Sequence, residues 1–83
     1  MFNLQCTVGN DVRIGDGCVL GPSTNVSGNV TIEDGCSIGT GAQILQGLSI
    51  GANAQIGAGA VVTKNVDTGV TVVGMPAKPL DRG

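Results

Sequence analysis

Residues 39–60 read Gly-Thr-Gly-Ala-Gln-Ile-Leu-Gln-Gly-Leu-Ser-Ile-Gly-Ala-Asn-Ala-Gln-Ile-Gly-Ala-Gly-Ala. An isoleucine returns every six positions, at Ile44, Ile50 and Ile56. Working outward, the same count meets Ile38, Ile32, Val26, Leu20, Ile14, Val8 and Phe2 on one side and Val62 on the other. A helix would repeat at 3.6 residues and an isolated strand at 2, so neither accounts for a period of six. A fixed short period is the mark of a coiled repeat architecture, in which hexapeptides build a parallel β-helix.

The other positions of the hexad agree. Four residues after the apolar position comes a second small or apolar one: Cys6, Val12, Cys18, Thr24, Val30, Cys36, Ala42, Leu48, Ala54, Ala60 and Val66. Both positions suit the inside of a coil. Between them, three residues after the apolar position, stands Gly, Asn or Asp, with exceptions at Gln5 and Ser23. Those types tolerate positive φ, which marks the corner. Three short faces then close one coil of eighteen residues, and coils stack at about 4.8 Å. Residues eighteen apart lie above one another, as in other solenoids. The expected fold is all-β: a parallel β-helix of nearly four coils over residues 1–67, with a capping strand and tail over 68–83. The sixfold count ends where Thr68 takes the apolar position; Val70–Val73 begins the cap, and Leu80–Gly83 reads as a loose end.

Composition narrows the function classes. The 83 residues carry a net charge of −2 with four basic side chains, Arg13, Lys64, Lys78 and Arg82. No basic patch is available for nucleic acid. No apolar run approaches the ~20 residues of a membrane-spanning helix, and the first residues lack the features of a signal peptide, so a cytoplasmic protein is expected. Phe2 is the one aromatic residue, which leaves stacking of coils or association of chains to stabilise so short a chain. The cysteines number three, an odd count that argues against a disulfide framework. With no histidine and no carboxylate cluster to complete a zinc ligand set, they read as small buried hydrophobes rather than a metal site.

The segments Ser27-Gly28-Asn29-Val30, Ile56-Gly57-Ala58-Gly59-Ala60-Val61-Val62-Thr63-Lys64-Asn65-Val66 and Val73-Gly74-Met75-Pro76-Ala77-Lys78 resemble the hexapeptide-repeat acyltransferases. The likeness is to the branch of sialic-acid O-acetyltransferases and bacillosamine N-acetyltransferases. It implies a left-handed β-helix, a homotrimer, and acetyl-CoA bound in the groove between two β-helices for transfer to a sugar amine or hydroxyl. Carried over residue by residue, it implies cofactor contacts at Gly28, Thr40 and Ala58, with Lys64 and Lys78 near the CoA phosphates, where a lysine serves as a point charge. Members also carry an N-terminal nucleotide-binding-like α/β domain that helps bind the sugar, and the residues read here contain no counterpart of it.

The same resemblance places a general-base histidine, followed by an acidic residue, at a position that here reads Asn10-Asp11. A positioned base contributes roughly 10²–10⁴-fold, and an Asn amide cannot take the proton. Asp11 is the carboxylate at hand, but a wet carboxylate is a weak base. Two functions follow: an acyl-CoA-binding, transferase-like β-helix with a degenerate catalytic position at Asn10 and Asp11, or a catalytically dead oligomerisation module. A third reading is a piece of an enzyme whose acceptor-binding part lies on another chain. Fold alone does not separate them.

Overall fold

The computed structural model describes residues 6–80. Phe2, Gln5 and Arg82, and the last three residues of the expected loose end, lie outside them. Twelve short strands succeed one another: β1 (Thr7–Val8), β2 (Arg13–Ile14), β3 (Val19–Leu20), β4 (Asn25–Val26), β5 (Thr31–Ile32), β6 (Ser37–Ile38), β7 (Gln43–Ile44), β8 (Ser49–Ile50), β9 (Gln55–Ile56), β10 (Val61–Val62), β11 (Thr71–Val73) and β12 (Lys78–Pro79). They form three parallel faces. The first is β1-β4-β7-β10, the second β2-β5-β8, and the third β3-β6-β9-β11, with β12 added antiparallel to β11. Strands pair eighteen residues apart, Val8 with Val26 and Val26 with Ile44, for example. The result is a parallel β-solenoid of about four coils, consistent with the left-handed β-helix. No helix among the described residues is long and apolar enough to cross a membrane.

The ladder is regular because each hexad contributes the same donors. Amides at the start of a strand and just after it each donate to a carbonyl seventeen residues on: Arg13 N–H to Val30 O at 2.9 Å, Gly15 N–H to Ile32 O at 2.7 Å. A third bond runs back from the corner, as from Asn29 N–H to Asn10 O at 2.9 Å. The corner residue has positive φ throughout the regular coils, from Asp11 (58°) and Gly17 (72°) to Gly59 (70°). Ser23, which did not fit by type, adopts it as well (61°). Side chains at the two inward positions fill the prism: Val26, Ile32, Ile44, Ile50 and Val62 on the strands, Val30, Cys36, Ala42, Ala54 and Ala60 beside the corners, all buried.

Many positions directly after a strand are glycine for a steric reason. A Cβ built on Gly39 would lie 2.5 Å from the backbone nitrogen of Ala58 in the next coil. On Gly21 it would lie 2.7 Å from that of Thr40. The overlying corner crosses directly above, and backbone cannot yield there.

The sixfold count breaks once and then resumes, a result that differs from the expectation that it ends at Thr68. After Val62 the next core residue is Val66, paired with Ile50, so one corner is two residues short. From there the hexad continues in a new phase: Gly69 is the corner (φ 75°), and Val72 the buried core residue, paired with Ile56 sixteen residues away. Val66 is therefore a strand-type core residue and not the beside-corner residue that counting by six makes it. The short corner lacks a carbonyl in the ladder, and the Asn65 side chain replaces it, with Oδ1 accepting from Ser49 N–H at 2.9 Å.

Two stability predictions follow. Asn65→Ala removes that acceptor and lowers unfolding free energy by about 1 kcal/mol, as for an ordinary hydrogen bond, whereas Asn65→Asp retains it; urea denaturation compares the two. Gly39→Ala forces backbone apart and destabilises more than Gly59→Ala. At Gly59 the added methyl meets open space, and the cost is the left-handed backbone alone, roughly 1–2 kcal/mol.

Candidate functional site

Of the residues proposed for the site, Asn10, Asp11, Gly28, Thr40, Ala58 and Lys64 stand at a corner or beside one, where a triangular prism presents backbone outward. Two edges matter. Along the edge between the first and second faces, Asn10, Gly28 and Gln46 stack. Asn29 N–H donates to Asn10 O at 2.9 Å and Gly47 N–H to Gly28 O at 3.0 Å. Along the edge between the third and first faces, Pro22, Thr40 and Ala58 stack through Gly41 N–H to Pro22 O (2.9 Å) and Gly59 N–H to Thr40 O (2.8 Å). Asn10, Asp11, Thr40 and Ala58 are exposed and Gly28 is half-buried. The structure thus forms the two columns and holds them on different edges of the same subunit.

Lys64 follows β10 at the first of these edges, at the short corner, and is exposed. From Asn10 to Lys64 is three coils, about 14 Å. Lys78 is not beside it. It stands on β12, opposite Val73, and its neighbours Ala77 and Pro79, not Lys78 itself, line a cavity of about 250 Å³. That cavity is the C-terminal mouth of the core. Val62, Val66, Val70 and Val72 form its walls and Lys64, Asn65 and Asp67 its polar rim. The sequence reading assigns Asn65 and Asp67 no part in a site; the return of Gly69 and Val72 in a shifted phase is the signal that marks this corner.

Asp11 occupies its corner in the left-handed region, φ 58°. That is where a short polar residue serves the turn, and the side chain is exposed.

The cysteines are accounted for by the coil. Each thiol donates to a carbonyl fifteen residues on: Cys6 to Gly21 O (3.2 Å), Cys18 to Glu33 O (3.1 Å) and Cys36 to Gly51 O (3.0 Å). Thr24 does the same towards Gly39 O (3.2 Å), with Gly21 O closer at 2.7 Å. These carbonyls lie just past the strands, so a small polar side chain beside the corner fills their remaining lone pair. Burial pushes the Cys36 thiol up from its usual 9.0. Its neutral form is the one the fold accommodates. The stability linked to it is intact below pH 9 and falls as the unfolded chain's thiol ionises above that value. Cys36→Ala is therefore expected to flatten the loss of stability as pH rises above 9.0, measured by denaturation at each pH.

Comparison with known proteins gives these positions a context. The family "Bacterial transferase hexapeptide (six repeats)" matches residues 29–64. Curated proteins yield no match. Among solved structures, WeeI from Acinetobacter baumannii AYE is 48% identical, with TM-score 0.87 over 90% of this chain and 38% of that one. A His-to-Asn variant of perosamine N-acetyltransferase from Caulobacter crescentus, in complex with CoA and GDP-perosamine, is 37% identical. It has TM-score 0.93 over 95% of this chain and 38% of that one. Serine acetyltransferase from Neisseria gonorrhoeae is more distant in shape, 33% identical with TM-score 0.57, over 94% of this chain and 39% of that one. The chain thus spans about two-fifths of the length of these relatives. By its repeat, its coil geometry and these neighbours, the chain fits the hexapeptide-repeat acyltransferase family.

Proposed function

We propose that this β-helix is the acetyl-CoA-binding part of an acyltransferase whose acceptor is a sugar amine or hydroxyl, assembled as a homotrimer with the cofactor between subunits. The observation that carries the reading is the overlap of 95% of the chain, at TM-score 0.93, with a sugar N-acetyltransferase holding CoA and a nucleotide-linked amino sugar. The residues present suit such a ligand. The edge through Thr40 and Ala58 carries short side chains, and a Cβ on Gly41 or Gly59 would meet nothing within 4 Å, so a slender chain can approach the backbone closely. On the other edge a Cβ at Gly28 would lie 3.3 Å from the carbonyl oxygen of Asn10, so glycine there keeps the edge slender. Lys64, about 14 Å from Asn10, supplies a point charge for a phosphate at the far end of an extended arm; Lys78 is a second candidate for that role.

In acetyl transfer the acceptor nitrogen or oxygen bonds to the thioester carbonyl carbon, the carbon–sulfur bond breaks, and CoA leaves as its thiol. The acceptor must lose a proton on the way. Asn10 has no basic site for it, and Asp11 is a corner carboxylate in water. The proposed chemistry is therefore binding without efficient transfer. The alternative, a module that only holds chains together, would bind no CoA.

Calorimetric titration with acetyl-CoA separates the two. The proposal expects saturable binding near one per chain, weakened at least tenfold by Lys64→Ala or by Ala58→Glu, which places a carboxylate on the proposed groove edge. It further expects Asn10→His to raise acetyl transfer to a nucleotide-linked amino sugar about 10²-fold. No heat at millimolar acetyl-CoA from folded, assembled protein would leave the scaffold alternative.

A further inference from the structure

Two of the cysteines stand together. Cys18 directly precedes β3 and Cys36 directly precedes β6. Val19 and Ser37, the residues after them, are register partners, and Val19 N–H donates to Cys36 O at 2.9 Å. Cys18 and Cys36 therefore stack in successive coils, about 4.8 Å apart along the ladder. Disulfides span Cα separations of roughly 4.4–6.8 Å, so the backbone already holds the pair at bridging distance. The Cys18 thiol also leans the right way, donating to Glu33 O in the coil that holds Cys36. The two thiols interact with each other through charge and a side-chain hydrogen bond. Cys6 has no such neighbour above it, since Thr24 stands eighteen residues on.

The pair is unequal in access. Cys18 is half-buried and Cys36 is buried, so an oxidant in water reaches the first and not the second. Neither thiol is irreplaceable as a donor. Gly51 O accepts from Cys36 at 3.0 Å and also from Ala54 N–H at 3.2 Å. Glu33 is exposed, so water can take the place of the Cys18 thiol at its carbonyl. The coil that carries Cys18 is also the less enclosed of the two. Val8 is 39% exposed and Ile14 half-buried, whereas Val26 and Ile32, their partners in the next coil, are each 1% exposed.

We propose that Cys18 and Cys36 are a site of reversible oxidation, at which a peroxide joins the two sulfurs into a disulfide that ties the coil of β1–β3 to the coil of β4–β6. The Cys18 sulfur, as thiolate, attacks one peroxide oxygen. The oxygen–oxygen bond breaks, one water leaves with the thiol's own proton, and Cys18 becomes a sulfenic acid. The Cys36 sulfur then attacks the Cys18 sulfur. A sulfur–sulfur bond forms, the sulfur–oxygen bond breaks, and the Cys36 proton leaves with that oxygen as a second water. The sulfurs give up two electrons, and hydrogen peroxide takes them. A dithiol reductant returns both thiols by exchange. The link closes the segment between positions 18 and 36, which opposes opening of the less enclosed coil. The inference depends on neither acetyl-CoA nor assembly.

Hydrogen peroxide treatment of the reduced, folded natural chain tests it, followed by alkylation in denaturant, non-reducing electrophoresis and peptide mass spectrometry. The expected product is one linked pair, Cys18 to Cys36 within a single chain, two hydrogens lighter than the separate thiols, with Cys6 outside it. Dithiothreitol is expected to return both thiols to alkylatable form. In Cys36→Ala, which matches Ala54 in the same column, Cys18 is expected to stop at the sulfenic acid that dimedone traps. Cys36→Ser replaces that variant if circular dichroism shows it unfolded. In the linked chain, the amide hydrogens of Arg13 and Val19, which bond to the next coil, are expected to exchange about tenfold more slowly than in the reduced chain. Cys18 and Cys36 both alkylated after treatment, a link through Cys6 or a link between chains overturns the site. Unchanged or faster exchange in the linked chain overturns the tie while the site stands.

Discussion

Each coil of this protein is held by its backbone bonds to the coil above, and almost everything else follows from that ladder. In the regular coils the strand donors recur at one offset, seventeen residues, with lengths of 2.7 to 3.2 Å. Every coil must therefore repeat the path of its neighbour to within the tolerance of a hydrogen bond. This constraint dictates the corner residue, which must accept positive φ, and the glycine after many strands, which lets the next corner cross overhead. It also limits the core. A prism this narrow has room for one branched side chain per strand and a small one beside each corner, which is why aliphatic residues suffice and aromatic ones are nearly absent.

The short corner between Val62 and Val66 shows how far the ladder can be altered. Two residues are missing, the offset drops from seventeen to fifteen in the bonds that follow, as from Gly51 N–H to Val66 O at 2.7 Å, and a side-chain amide replaces the lost carbonyl. The coil beyond it is intact but contracted. β12 covers part of its end, leaving an apolar mouth with a polar rim. The end of a solenoid exposes its core unless something lies across it, and here Ala77 and Pro79 partly fulfil that role.

Much of this was legible in the sequence because a repeat is redundant. Ile44, Ile50 and Ile56 fix the period, the eighteen-residue sum fixes which side chains stack, and the columns through Gly28 and Thr40 follow by arithmetic. Ser23 did not fit by residue type and still adopts the left-handed corner, with Pro22 beside it held by Gly41 N–H of the next coil. The short corner was hidden because a fixed count carries straight through it: Val66 is apolar and satisfies either phase, and only Gly69 with Val72 discriminates. The position of Lys78 was not legible, because it depends on an antiparallel return outside the repeat. The site was legible as geometry and not as chemistry. Its columns present mainly backbone and short side chains, and a glycine serving a ligand has the same sequence as a glycine serving the next coil. Asn10 was the one position where residue chemistry spoke, since an amide there changes what the edge can do.

In the proposed function, two corner columns, made equal in spacing by the ladder, form the two sides of an acetyl-CoA groove. Amide chemical shifts followed by nuclear magnetic resonance as acetyl-CoA is added test that claim residue by residue. The shifts expected to move most are those of Gly28 and Asn29 on one edge and Thr40, Gly41, Ala58 and Gly59 on the other, while Thr31, Glu33 and Ser49 on or beside the second face stay still. Perturbation centred on the second face, or on the C-terminal mouth alone, would contradict that groove.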